Sequence, residues 1–249
     1  MSIIEKIGKT REVLKEILND QQFDVSSIQT LSYEEINRLF DIIPENSLIS
    51  SIGGGTACNF SVKHDKIPSY ILNVIYLNLP DKNGSTSRLS KSFKDKIISL
   101  YESELLDKYS SCIIIINEKI TDTILKIGQE LNISLQEEIE EIPDSIKEEI
   151  KTSDYHLKKS HLRRCWIFDI NTLTINLKKH RLVSEHLPIR NEEEIQEILS
   201  KSNCSKSQLP VISKNDMMVK YNLSAPGDIM KINRTSKMTG NYPFYRFVR

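Results

Sequence analysis

Alanine is almost missing from this chain, occurring only at Ala57 and Ala225. Arginine is outnumbered by lysine more than two to one, while isoleucine fills about one position in seven. Alanine codons and most arginine codons are GC-rich, whereas isoleucine, lysine and asparagine codons are AT-rich. The bias points to an AT-rich genome and says nothing about chemistry. Cysteine is scarce and scattered: Cys58, Cys112, Cys165 and Cys204 form no C-x-x-C pair. In a chain of 249 residues this reads as reduced and intracellular, not as a disulfide framework. Net charge is absent, because 34 Lys+Arg balance 34 Asp+Glu. A chain that held nucleic acid strongly and alone would be more basic, so the balance favours a protein–protein role or a local, weak DNA contact. No apolar run approaches the roughly 18–20 residues of a bilayer span. The opening MSIIEKIGKTREVLKEIL is charged throughout and offers no signal-peptide core.

Catalytic patterns are also lacking. Gly53-Gly54-Gly55-Thr56 is not followed by Lys-Ser/Thr and reads as a flexible turn, not a phosphate loop. There is no G-x-S-x-G elbow. His156, His161 and Cys165 lie close together, but no second Cys/His pair supplies the remaining zinc ligands, so surface or core roles are expected for them. No catalytic residue, cofactor or metal is called for.

Residues 2–20 carry the stripe of an amphipathic helix, with Ile3, Ile7, Leu14 and Leu18 in line. Ser32 and Glu35 predict a capping box for a helix over Tyr33–Phe40 that Pro44 ends. Residues 45–66 look irregular, 69–79 read as a strand and 80–87 as a turn. A helix over 91–109 turns Phe93, Ile97, Leu100, Tyr101 and Leu105 inward. The run CIIIIN (112–117) suits a strand buried on both faces, and a helix over 121–131 follows. The acidic stretch 134–154 reads as a solvated helical insertion, the region 134–164 as an insertion overall, and 165–177 as one or two strands. Two basic patches stand out: Lys158, Lys159, Arg163 and Arg164, then Lys178, Lys179, His180 and Arg181. A solvated face balancing the acidic tract and a sequence-blind contact with phosphates both fit them.

The texture changes near residue 178. Asn191 caps a helix opening on Glu192-Glu193-Glu194. Residues 206–210 should be extended, because Pro210 disfavours helix at Leu209. A short helix over 216–221 leads to a Pro226-Gly227 turn, and 228–233 and 244–248 alternate as an antiparallel pair around Gly240. The expected organisation is an α/β domain over 1–177 and a small α+β domain over 178–249.

Residues 178–249 resemble one family, the fifth common subunit of eukaryotic RNA polymerases together with its shorter archaeal counterpart. The resemblance rests on ordered motifs. H-x-L-V-x-E-H appears as His180-Arg181-Leu182-Val183-Ser184-Glu185-His186, and S-Q-L-P-x-I as Ser207-Gln208-Leu209-Pro210-Val211-Ile212. Asp216 and Tyr221 follow, then Pro226-Gly227-Asp228, Lys231-Ile232 and Arg234, then Gly240 and Tyr242, and the close Tyr245-Arg246-Phe247-Val248. Met217 and Thr235 stand where the family usually has proline, which marks a divergent member.

The resemblance implies a non-catalytic structural subunit of a multisubunit DNA-dependent RNA polymerase. Its C-terminal assembly domain would dock on the largest subunit, beside the other subunits. Its N-terminal jaw domain would lie near downstream duplex DNA, met weakly and non-specifically through Lys158, Lys159, Arg163 and Arg164. The assembly residues expected on this basis are His180, Val183, His186, Gln208, Leu209, Pro210, Tyr221, Arg234, Gly240, Tyr242, Tyr245 and Arg246. Tyr221, Tyr242, Phe244 and Tyr245 exceed what so small a core needs, and aromatics and arginines anchor interfaces. Divergence, extra length and AT-rich usage suggest a large DNA virus, hence host cytoplasm and virion; an AT-rich protist, hence the nucleus, is the alternative. Two rival functions are a free transcription factor mimicking the subunit, and a nuclease-like enzyme, which would require clustered acids and a lysine near strand ends, for example around Asp169, where the sequence offers no convincing set.

Overall fold

The computed structural model describes residues 1–42, 44–80, 92–153, 155–236, 238 and 240–249. They form two compact units, Met1–Thr152 with Leu162–Ile175, and Ser153–His161 with Asn176–Arg249.

In the first unit, α1 (Ile3–Asp20) starts at a capping box of Ser2 and Glu5. α2 (Tyr33–Phe40) starts at the expected box of Ser32 and Glu35, and ends at Phe40, short of Pro44. Residues 45–66 are more regular than expected. They hold α3 (Ser47–Ser50), a 3-10 turn Thr56–Cys58 and β1 (Phe60–Lys63). β1 was hard to see because it is short and exposes Ser61 and Lys63, so its alternation covers one apolar pair at most. β2 (Ile71–Leu77), α4 (Ser92–Glu102), β3 (Ser111–Ile116), α5 (Asp122–Glu137), α6 (Asp144–Thr152) and β4 (Cys165–Asp169) complete the unit. The expected helix over 91–109 is shorter: the chain turns after Glu102 and leaves Leu105 exposed. The expected turn over 80–87 lies, apart from Pro80, outside the described residues.

The sheet order is β1-β2-β3-β4. β1 pairs antiparallel with β2, and β2, β3 and β4 run parallel. β3 is central, and every one of its residues is buried. That is why its sequence is a continuous apolar run without alternation. One face (Ile75 and Leu77, Cys112, Ile114 and Ile116, Cys165 and Ile167) packs under α4 and α5. On the other face the Tyr76 phenol reaches Thr10 of α1 at 3.1 Å. α5 comes so close that a Cβ on Gly128 would sit 2.6 Å from Ile167 Cδ1.

The stretch 134–164 is not a solvated appendage. It lies in the connection from β3 to β4, and Leu135, Ile139 and Ile146 of the acidic part are buried. Glu149 accepts hydrogen bonds from Ser69 N (3.1 Å) and Ser69 Oγ (2.7 Å), tying α6 to the approach to β2. Beyond β4, residues 170–177 hold a 3-10 turn, Thr172–Thr174, instead of a second strand.

The second unit contains β5 (Glu185–Ile189), α7 (Glu192–Lys201), β6 (Val211–Ile212), α8 (Met217–Tyr221), β7 (Ile229–Ser236) and β8 (Gly240–Val248). Asn191 caps α7 as expected. Residues 206–208 form a 3-10 turn instead of an extended segment, and Leu209 before Pro210 is extended. The sheet order is β5-β7-β8-β6, with the β7–β8 hairpin in register from Ile229↔Phe247 to Ser236↔Gly240. α7 covers one face through Ile195, Ile198 and Leu199 against Ile189 and Ile229. Val219 of α8 packs with Met230, Val248 and Ile212 on the other.

Phe247 N donates to Pro210 O, so the odd-numbered residues of β8 turn their backbone groups away from β7. Pro243 is one of them. By the same alternation Pro188 of β5 faces outward. The β5 edge, and β8 where it runs beyond its pairing with β6, thus each carry a proline where an N–H would have offered itself to another strand.

Candidate assembly surface

The second unit is built around a buried charge. Asp228 follows the Pro226-Gly227 turn, where Gly227 takes φ 99, a conformation that favours glycine. Asp228 Oδ2 accepts from Ala225 N at 3.1 Å and Arg190 Nε at 3.3 Å, and lies 2.9 Å from His161 Nε2. Lys158 Nζ is 3.8 Å from Oδ1. Burial by itself pushes this carboxyl up; the His161 ring, Arg190 and the Ala225 N–H outweigh it and hold the group well below the usual carboxylate range. Arg190 also donates to Asn222 O (3.0 Å) and Leu223 O (3.3 Å), closing the exit of α8. Its other amine donates to the Tyr155 hydroxyl at 2.6 Å. The corner between α8 and β7 is therefore fixed by ionic hydrogen bonds, which sets the direction in which the hairpin leaves the core.

Past that corner the hairpin outruns its covering helices. Arg234 lies opposite Tyr242, Ile232 opposite Phe244 and Met230 opposite Arg246. The guanidinium groups of Arg234 and Arg246 stand 4.8 Å and 5.3 Å from the Phe244 ring centroid. The result is a half-exposed arginine–aromatic–arginine stack, with Tyr242 60% exposed at its tip. An open groove of about 790 Å³ runs between residues 181–185 and the outer hairpin. Arg181 and Lys231 make it basic; Leu182 (78% exposed), Tyr242 and Pro243 make it apolar. Glu185, its acid, accepts from Asn233 Nδ2 at 2.6 Å.

The expected assembly residues divide between surface and framework. His180, Gln208, Pro210, Arg234, Gly240 and Tyr242 are exposed, and Val183, His186, Tyr245 and Arg246 are half-buried. Leu209 and Tyr221 are buried in their own unit, so neither side chain is open to a partner. Burial pushes the Tyr221 phenol up to about 12. The Ser-Gln-Leu-Pro motif has a local explanation. Gln208 Oε1 accepts from Ser205 N at 2.8 Å, Leu209 joins the core under α7, and the Pro210 carbonyl starts the pairing of β6 with β8. His180 Nδ1 accepts from Leu182 N at 3.3 Å, and His186 Nδ1 lies 2.6 Å from Ser184 O, which shapes the groove wall.

The expected DNA contacts fare differently. Arg163 and Arg164 are only 3% and 8% exposed. Arg163 pairs with Glu138 at 2.7 Å and stands 4.5 Å from the Tyr101 ring centroid, so its charge is taken up inside the first unit. Lys158 faces Asp228, and Lys159 alone of the four is exposed. Asp169, the acid of the nuclease alternative, caps its own turn, accepting from Asn171 N (2.8 Å) and Nδ2 (2.7 Å). Among the described residues no three His, Cys, Asp or Glu side chains are grouped to hold a metal ion. Asp228, Arg190 and His161 were missed as a set. The only signal was an acid directly after a Pro-Gly turn.

Comparison with known proteins bears on the second unit. The family described as RNA polymerase Rpb5, C-terminal domain, matches residues 175–248, a span nearly coincident with the larger part of the second unit. The chain is 44% identical over 73 residues to DNA-directed RNA polymerase subunit Rpo5 of Pyrococcus abyssi, covering 29% of this chain and 88% of that protein. It is 35% identical over 82 residues to DNA-directed RNA polymerase V subunit 5A of Arabidopsis thaliana, 33% of this chain and 36% of that protein. It is also 35% identical over 79 residues to subunit rpabc1 of DNA-directed RNA polymerases I, II and III from Dictyostelium discoideum, 32% and 40% of the two chains. The match thus spans well under half of these two eukaryotic relatives and nearly all of the archaeal one. With motifs, fold and arginine–aromatic hairpin in one ordered unit, the chain belongs to the Rpb5 family of RNA polymerase subunits.

Proposed function

We propose that this chain is a non-catalytic structural subunit of a multisubunit DNA-dependent RNA polymerase, docked on the largest subunit through the groove and outer hairpin of its second unit. The observation that carries this reading is the half-exposed stack of Arg234, Phe244 and Arg246 beside Tyr242, in the unit that the family match covers. Aromatic and arginine side chains left half-exposed on a rigid support are the groups that dominate interfaces. The basic, partly apolar groove favours a partner surface of acidic and apolar residues. The first unit, α/β with a buried parallel core, would take the jaw position beside downstream duplex DNA. With Arg163 and Arg164 buried, such a contact would be weak and would depend on exposed lysines.

The test is a tagged pull-down from the source organism with mass-spectrometric identification of the retained chains. Stoichiometric recovery of two very large polymerase subunits is expected. Recovery of this chain alone, at salt mild enough to spare real interfaces, would overturn the reading in favour of a free factor.

A further inference from the structure

The family match begins at residue 175, yet the second unit also takes in Ser153–His161 from the β3–β4 connection. That segment is seated by named groups. Leu157 is buried. His161 Nε2 meets Asp228 Oδ2 at 2.9 Å, with both side chains excluded from water. The other ring nitrogen, Nδ1, accepts from Lys158 N at 3.2 Å. The Tyr155 hydroxyl takes the Arg190 amine at 2.6 Å, and its ring lies 5.2 Å from the guanidinium carbon. Lys158 Nζ donates to Gly227 O at 3.4 Å and faces the second Asp228 oxygen.

Asp228 and Arg190 lie inside the matched span, at the corner that directs the hairpin. Three of the groups around them, Tyr155, Lys158 and His161, lie outside it. A buried carboxylate stripped of a partner is strongly destabilised, because no water replaces the lost bond.

We infer that residues 155–161 are a strap that must seat on the Asp228–Arg190 pair for the assembly unit to close, so that order at the assembly surface is set from within the β3–β4 connection. With the strap seated, the chain passes between the units three times, at 152/153, 161/162 and 175/176. With it released, only the last passage joins a unit to a complete neighbour, and the α8–β7 corner loosens with the strap. The device belongs to the isolated chain and holds whether or not it assembles with other subunits.

Hydrogen exchange followed by mass spectrometry on the full chain tests this at one neutral pH. In His161→Ala, exchange should rise roughly ten- to a hundredfold, the loss of one hydrogen bond to a charged group, in 157–161 and in 225–230 together. Residues 111–116 should be unchanged. Tyr155→Phe, which keeps the ring and removes one hydroxyl, should raise exchange in the same two segments by a smaller factor, and it keeps the test open if His161→Ala fails to fold. Faster exchange in 157–161 with 225–230 unmoved would make the segment a passenger and overturn the inference. So would a strap as unprotected as free peptide in the unaltered chain.

Discussion

The two sheets of this molecule are held by opposite means. In the first unit β3 lies between two parallel neighbours and is buried end to end, and the cluster that joins the sheet to α4 and α5 is apolar. In the second, helices cover only the inner part of the sheet. The corner is held by a buried carboxylate among cations, and the outer hairpin carries aromatics into solvent. Burying a charge stabilises nothing by itself; it confers geometry. The difference teaches that the first unit is organised to persist and the second to present a surface in a fixed direction.

The sharpest way to break that contrast is Asp228→Asn. Removing one member of a buried ionic set costs about 3–5 kcal/mol, and the loss should fall on the second unit. The one tryptophan, Trp166, is buried in β4, within the first unit. Urea unfolding should show a far-UV transition at lower denaturant with the Trp166 fluorescence transition in place. The mirror-image variant, Ile114→Ala, should cost about 2–5 kcal/mol and move the Trp166 transition. A Trp166 shift in Asp228→Asn as large as that in Ile114→Ala would show one cooperative block and abolish the contrast. The carboxylate also carries a pH signature. Its folded value is depressed, with His161, Arg190 and Lys158 facing it and Tyr155 behind Arg190. Its contribution is therefore complete above the unfolded value of about 3.9 and is lost as pH falls below that. The unaltered chain and Asp228→Asn should differ fully at neutral pH and converge in acid.

The next contrast lies within the second unit, between corner and hairpin. Phe244→Ala should leave both unfolding transitions within about 1 kcal/mol of the original, since its ring is half-exposed. It should weaken association with the polymerase by about 2 kcal/mol or more, the loss typical of a central anchor. A pull-down at increasing salt measures this. Retention equal to the unaltered chain would move the docking face elsewhere on the unit.

How much of this was legible beforehand follows from the range of the forces involved. Local rules found the Ser32–Glu35 box, the Asn191 cap and the β3 run, because each is written within a few residues. Ordered motifs found the hairpin and its family. The basic cluster failed at Arg163 and Arg164 because composition cannot tell a solvated arginine from one folded over Tyr101. The Asp228 set was hidden because its partners lie 38 and 67 residues away along the chain. Such a site is created by topology, and no window of sequence contains it.

The smallest expected effect decides what the Ser-Gln-Leu-Pro motif is for. Position by position it reads either as docking surface or as framework. Gln208 is exposed, as a docking residue should be, yet its Oε1 accepts from Ser205 N at 2.8 Å and from Ser205 Oγ at 3.2 Å, which closes the 3-10 turn before β6. If the motif is framework, Gln208→Ala should lower stability of the second unit by about 0.5–1 kcal/mol, the range of a lost cap, and leave retention by the polymerase unchanged. Gln208→Glu keeps the acceptor and should restore most of the loss. If instead Gln208→Ala leaves unfolding untouched and reduces retention, the side chain meets a partner. The docking face would then extend from the hairpin around to the turn before β6, and the division between corner and surface would have to be redrawn.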